Sequence, residues 1–168
     1  MTYTIVNPSL GAPSITDIAN TANDYYRPWK LGARVRAVDE TYGEGEFIYL
    51  KGVANTVRGS VVVFNPDDWS TVLAVANAVG PIAVAMGATV ASTYGWYQIF
   101  GKGVASVLTG FVDNADCYLT ATDGSIDDTD VAGDYIRGMK GASAIGTPAA
   151  GLAEVELWYP QVADGKDN

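Results

Sequence analysis

The sequence predicts a mainly β protein, a sandwich or barrel of short antiparallel strands with an extended N-terminal arm. Three observations carry the prediction. The 168 residues include 19 Gly and 7 Pro, the turn residues that closely spaced strands require. From Ala33 onward, short runs of β-branched and aromatic residues are each closed by Gly, Asn or Asp, which is the text of strands and tight turns. With 48% hydrophobic and 17% charged residues, the chain has material for one core and is too apolar to remain disordered.

The first segment, residues 1–32, is punctuated by Pro8, Gly11, Pro13 and Pro28 and shows little periodic hydrophobicity, so it reads as an extended arm. A short helix from Ser14 to Ala22 is expected within it, with Ser14 as cap and Asp17 in the capping-box position. Residues 33–168 form the β domain. Its candidate strands are Arg34 to Val38, Phe47 to Val53, Ser60 to Phe64, Val72 to Val75, Ile82 to Met86, Tyr94 to Phe100, Val104 to Phe111, Ala115 to Thr120 and Ala153 to Tyr159. Ile82 to Met86 is apolar throughout and suits a central strand, whereas Glu46 to Lys51 mixes apolar and charged positions and suits an edge or surface. Turns are expected at Asn65-Pro66-Asp67-Asp68, at Gly80-Pro81, through Gly101-Lys102-Gly103 and at Asp123-Gly124.

No charged residue occurs between Asp68 and Lys102. Val72 to Ala91 is long enough to span a bilayer, but Asn77 and Gly80-Pro81 interrupt it and no cluster of basic residues flanks it, so two buried strands are expected instead of a membrane span. Met1 to Leu10 lacks the charged and apolar regions of a secretory signal peptide, and none is expected.

Charge and composition exclude several function classes. The net charge of −9 opposes a phosphate backbone, so nucleic acid is not an expected partner. Histidine is absent and Cys117 is the sole cysteine, which removes the commonest general acid/base, the commonest metal ligand and any intrachain disulfide. Asp123, Asp127, Asp128, Asp130 and Asp134 crowd one loop, yet an EF-hand register starting at Asp128 places Ala132 and Met139 where ligands are needed, so a solvated acidic loop is expected. Glu40, Glu44 and Glu46 surround Tyr42-Gly43 and read as exposed carboxylates at a hairpin turn. Without a base to activate it, Cys117 reads as a small packed residue. No catalytic set, metal site or cofactor motif is expected.

Recognition falls to aromatic and basic residues. Tyr25, Tyr26 and Trp29 stand beside Arg27 and Lys30, with Arg34 and Arg36 close behind, so that four of the ten basic residues fall within ten positions. Trp96 and Tyr97 are adjacent on a candidate strand and must point to opposite faces: either one fills the core while the other meets a partner, or both are buried in a closed sandwich. These nine residues are the expected partner-binding set. The uncharged stretch between Asp68 and Lys102 is the expected source of a self-association surface.

The series Tyr42-Gly43-Glu44-Gly45-Glu46-Phe47-Ile48-Tyr49-Leu50-Lys51-Gly52-Val53, Gly80-Pro81-Ile82-Ala83-Val84-Ala85-Met86 and Tyr94-Gly95-Trp96-Tyr97-Gln98-Ile99-Phe100-Gly101 resembles the head decoration, or cement, proteins of tailed bacteriophages. The resemblance covers roughly Ala33 to Pro160. It implies a β-sandwich or barrel on the outer surface of the capsid that binds the major capsid protein as a homo-oligomer, a dimer or trimer, and stabilises the lattice without enzymatic activity. The alternative is a head-fibre or tail-associated module that recognises a host carbohydrate through Tyr, Trp and carboxylates.

Overall fold

The computed structural model describes residues 3–6, 13–20 and 29–163. They form β1 (Thr4–Ile5), β2 (Ala19–Asn20), β3 (Arg34–Asp39), β4 (Gly43–Lys51), β5 (Val61–Phe64), β6 (Thr71–Leu73), β7 (Val79–Ala85), β8 (Thr93–Ser106), β9 (Asp116–Leu119), β10 (Ile126–Asp127), β11 (Tyr135–Gly141) and β12 (Leu152–Ala163), with no helix among them. The mainly β class expected from the sequence is therefore the observed one. Every strand pairing is antiparallel. The strands follow the path β1-β3-β4-β8-β7-β12-β11-β9-β10, with β5 and β6 attached through β7 and β2 paired to the start of β8. The path begins at β1 and ends at β10, so the sheet does not close into a barrel.

Strand alternation explains the layering. In β4, Phe47 and Tyr49 face a cluster that also holds Tyr3, Ile15 and Trp96, whereas Ile48 and Leu50 face Val62, Ala83, Tyr97 and Ile99. In β5 and β7, Val62 and Ala83 belong to that middle layer, while Val61 and Val84 face a third cluster with Val155, Leu157, Leu119 and Ile136. Successive side chains on a strand point to opposite faces, so strands buried on both sides read as continuous apolar runs. This placement accounts for the charge-free stretch between Asp68 and Lys102, which supplies β7 and the first half of β8 in the middle of the molecule.

Four local expectations are corrected. The helix from Ser14 is absent over residues 14–20: Asp17 Oδ2 accepts a hydrogen bond from Ser14 N at 3.1 Å, and Asp17 N donates to Ser14 O at 3.0 Å. The cap chemistry forms, but the chain then pairs Ala19 with Tyr94 of β8, because packing against a sheet overrides a weak local helix preference. Gly80-Pro81 lies inside β7, and the turn before it falls at Val75 to Ala78, with Asn77 at φ 64°. Gly80 is needed for close approach, since a Cβ there would stand 2.8 Å from Val63 Cγ1. Gly101-Lys102-Gly103 bends one long strand where two were expected, and a Cβ at Gly101 would lie 2.3 Å from Glu44 O. Finally, β10 and β11 lie beyond the expected strands; β11 carries Arg137, Lys140 and two glycines, a composition that hides its alternation.

Candidate interaction site

The exposed aromatic surface of the described residues lies on β12. There the alternation of buried Ala153, Val155 and Leu157 breaks at Trp158 and Tyr159, which are 51% and 49% exposed. Every other aromatic side chain among the described residues is at least partly buried. The break is a bulge. Arg137 pairs with Gln161 and Met139 with Leu157, so Trp158 to Pro160 oppose the single residue Gly138. Strands bulge in this way where a side chain is re-aimed or pairing changes, and both occur here. Trp158 pairs with Phe100 of β8, while Gln161 pairs with Pro81 of β7. The strand changes neighbour across Tyr159 and Pro160, and Pro160 has no N–H to leave unpaired.

Tyr159 has a left-handed φ of 51°, which costs a non-glycine residue about 1–2 kcal/mol and must be offset by the contacts it brings. Its ring stacks on Phe100 with centroids 5.5 Å apart, its hydroxyl donates to Glu46 Oε2 at 2.9 Å, and the Arg34 guanidinium lies 6.0 Å from the ring centre. The hydrogen bond to the Glu46 carboxylate, and secondarily burial, raise the Tyr159 pKa above its ordinary value. Glu46 is the hub of the group. Its side chain is only 11% exposed and meets Arg34 Nη1 at 3.3 Å and Arg36 Nε at 3.8 Å, while Arg36 Nη1 reaches Glu44 at 3.4 Å. Glu46 is therefore enclosed, not the exposed turn carboxylate the sequence suggested; Glu40 and Glu44 are exposed.

Two clefts share Phe64 and Pro81. One lies against the bulge and is lined also by Arg34, Ile82, Ile99, Tyr159 and Pro160. The other lies away from the bulge and is lined by Asn65, Ser70 and Thr71 as well as Val72 and Val79. Arg34 is the single charged residue lining either cleft.

The structure brings together only part of the expected partner-binding set. Arg34 and Arg36 belong to the site, with their side chains 54% and 62% exposed. Lys30 is exposed, and Trp29 is half-buried against the cluster containing Tyr3 and Phe47. Tyr25, Tyr26 and Arg27 lie outside the described residues. Trp96 and Tyr97 do point to opposite faces, but both faces are covered: Trp96 is 1% and Tyr97 0% exposed. Trp96 Nε1 donates to Pro13 O at 3.2 Å, and Tyr97 shares a hydrogen bond with Thr89. Neither ring reaches the surface of the chain, so of the two alternatives it is burial on both faces that the chain shows.

Sequence reasoning missed Trp158 and Tyr159. The available signal was Trp158, which falls at an outward position of the alternation set by Ala153, Val155 and Leu157; Tyr159 falls at an inward one and is turned out only by the bulge.

The acidic loop is used locally. Asp134 is buried and accepts from Asn77 N at 2.6 Å, Asp128 accepts from Val112 N at 3.0 Å, and Asp127 accepts from the Thr129 hydroxyl at 2.8 Å. Among the described residues, no three acidic or cysteine side chains converge as metal ligands would. Cys117 is fully buried, and desolvation pushes its thiol pKa up to about 12, which suppresses the thiolate a nucleophile requires. No helix among the described residues is long and apolar enough to cross a membrane. No protein-family model matches the chain, and no curated protein is significantly similar to it.

Proposed function

We propose that the chain is a structural protein of a tailed-phage virion, a capsid decoration or cement protein that binds the major capsid protein on the outer surface of the head. In this reading it acts as a homo-oligomer, a dimer or trimer, and performs no catalysis. The observation that carries the proposal is the paired exposure of Trp158 and Tyr159 on a bulge braced by Glu46, Arg34 and Phe100. A large aromatic held in one conformation supplies contact area at small entropic cost, and such anchors dominate protein interfaces. The sequence resemblance supplies the virion context, and a net charge of −9 suits a surface turned away from packaged DNA.

The carbohydrate-recognition alternative is weaker at this site. Sugar recognition uses an open aromatic face with hydrogen-bonding groups around it, but the Tyr159 ring is against Phe100 and Arg34 and its hydroxyl is committed to Glu46. Quantitative mass spectrometry of purified particles, combined with immunogold labelling, tests the proposal. Copies comparable in number to the major capsid protein and spread over the head are expected. A few copies at a vertex or tail would favour recognition of a host, and absence from particles would overturn the virion assignment.

A further inference from the structure

The described residues of the N-terminal segment lie on the β domain. Tyr3 packs edge-on against Phe47 with ring centroids 4.8 Å apart, and its hydroxyl donates to Lys102 O at 2.7 Å. β1 pairs with β3, Ile15 is buried, Trp96 Nε1 donates to Pro13 O, and β2 pairs with β8. Residues 3–6 and 13–20 thus form a strap over the face of β4 and β8 that carries Phe47, Tyr49, Trp96 and Gln98. Without the strap, the rings of Phe47, Tyr49 and Trp96 would meet water.

This layer is also the least well satisfied among the described residues. Four buried side-chain polar atoms there lack a hydrogen-bond partner, and three of them, Trp29 Nε1, Tyr49 Oη and Gln98 Oε1, belong to the layer beneath the strap. A buried polar group without a partner is destabilising, because it has lost water and gained nothing in return. Lifting the strap returns such groups to water, so this segment opens at lower cost than the doubly covered strands behind it. The strap is also terminal: residues 21–28 alone connect it to the domain, and its contacts are all non-covalent. The same contacts form when the strap of one copy lies on the face of another, which makes exchange of an identical element a low-cost route to association.

We propose that the strap is exchanged between copies, residues 3–6 and 13–20 of one chain covering β4 and β8 of a second. The inference rests on the homo-oligomer of the reading above and not on the capsid as a partner. The occupant is fixed by the fit of this segment to its seat: a Cβ at Gly95 would stand 3.3 Å from Asp17 O, and one at Gly87 would stand 3.2 Å from Thr16 O. The net charge of −9 on each chain does not prevent exchange, since the contact itself is apolar and surface repulsion is screened beyond about 8 Å at physiological salt.

A cysteine pair reads out whose strap lies on whose face. A Cβ at Gly87 would stand 3.3 Å from Ile18 Cγ1, so Ile18→Cys and Gly87→Cys bring two thiols within disulfide reach. In full chains whose own thiol is removed by Cys117→Ala, Ile18→Cys alone and Gly87→Cys alone are co-expressed under different tags and oxidised. A covalent heterodimer is expected on a non-reducing gel. Its yield should be at least about tenfold above that of a control pair in which Val112→Cys replaces Gly87→Cys, Val112 being exposed beside Phe111 of the opposite layer. The chain carrying both substitutions should likewise give linked dimers or larger species. If that chain instead closes its disulfide within the monomer while the single variants stay unlinked, exchange is overturned. No disulfide in the doubly substituted chain would overturn it too, by removing residue 18 from its place over residue 87. Sedimentation of the unsubstituted chain separates the readings: a monomer at every concentration ends the homo-oligomer and the exchange together, whereas an oligomer whose single variants stay unlinked ends the exchange alone.

Discussion

Replacing Gly138 by Ala tests whether the bulge is held by backbone geometry. Gly138 sits at φ 74° opposite Trp158 to Pro160, and an added Cβ would stand 2.6 Å from the carbonyl oxygen of Trp158. Two costs combine: a left-handed backbone for an L residue, about 1–2 kcal/mol, and overpacking against a backbone atom that cannot rotate away, about 1–3 kcal/mol. The expected total is about 2–5 kcal/mol, which for a domain of this size lowers the thermal midpoint by roughly 4–20 °C. Gly43→Ala is the matched control, because Gly43 has φ 73° and nothing within 4 Å of a Cβ; it should show only the conformational part, about 1–2 kcal/mol. Equilibrium urea unfolding followed by tryptophan fluorescence gives both values. Near-UV circular dichroism of the folded Gly138→Ala protein should also change, since the shift needed to clear the Trp158 carbonyl moves the exposed aromatics. If the two variants lose equal stability, the packing of β11 under the bulge does not constrain Trp158 and Tyr159, and the preorganised anchor is refuted.

Other expectations follow from single contacts. Tyr159→Phe removes the hydroxyl donated to Glu46 and should cost about 0.5–1.5 kcal/mol, reduced by solvent at a half-exposed site; an unchanged urea midpoint would show the hydrogen bond to be idle. Gln98 is fully buried and donates from Nε2 to Phe100 O at 3.1 Å and Lys102 O at 3.0 Å, on either side of the Gly101 bend. Gln98→Ala should therefore cost about 2–5 kcal/mol, mainly through the cavity it leaves, since Lys102 O keeps the Tyr3 hydroxyl at 2.7 Å, and a loss under about 1 kcal/mol would mean that the bend is held by other groups. Cys117, with its pKa near 12, should resist Ellman's reagent at pH 8 and react fully in denaturant, whereas stoichiometric reaction within minutes in native buffer would show that its layer opens. Burial also raises Tyr3 and Tyr49 to about 12. A raised phenol pKa gives stability that is complete below the unfolded pKa of 10.0 and lost as pH climbs toward 12; thermal midpoints should be flat from pH 7 to about 9 and fall steeply above 10, and a midpoint unchanged at pH 11 would contradict the burial of these phenols.

Much of the fold was legible because burial leaves a trace in composition. The runs at Ile82 to Ala85 and Tyr94 to Phe100 lie in β7 and β8, and their lack of charge follows from apolar neighbours on both faces. The site was legible only in part. Arg34 and Arg36 stood out as clustered bases, but their Glu44 and Glu46 partners come into reach only through the β3–β4 pairing. Trp96 and Tyr97 were conspicuous for their size, and size does not distinguish a core ring from a surface one.

The sequence by itself determined the strand-rich class, the opposite facing of Trp96 and Tyr97, the absence of histidine chemistry and the acidic character of the surface, because each depends on composition or on a period of two along a strand. Only the tertiary structure decided which faces are covered, that Gly101 bends one strand where Gly80 continues another, and that Trp158 and Tyr159 stand outward together. Those outcomes depend on which strand lies alongside. Three residues of β12 face one of β11 because β12 leaves β8 for β7 at that point, and register between segments distant along the chain is set by the packing of the whole sheet.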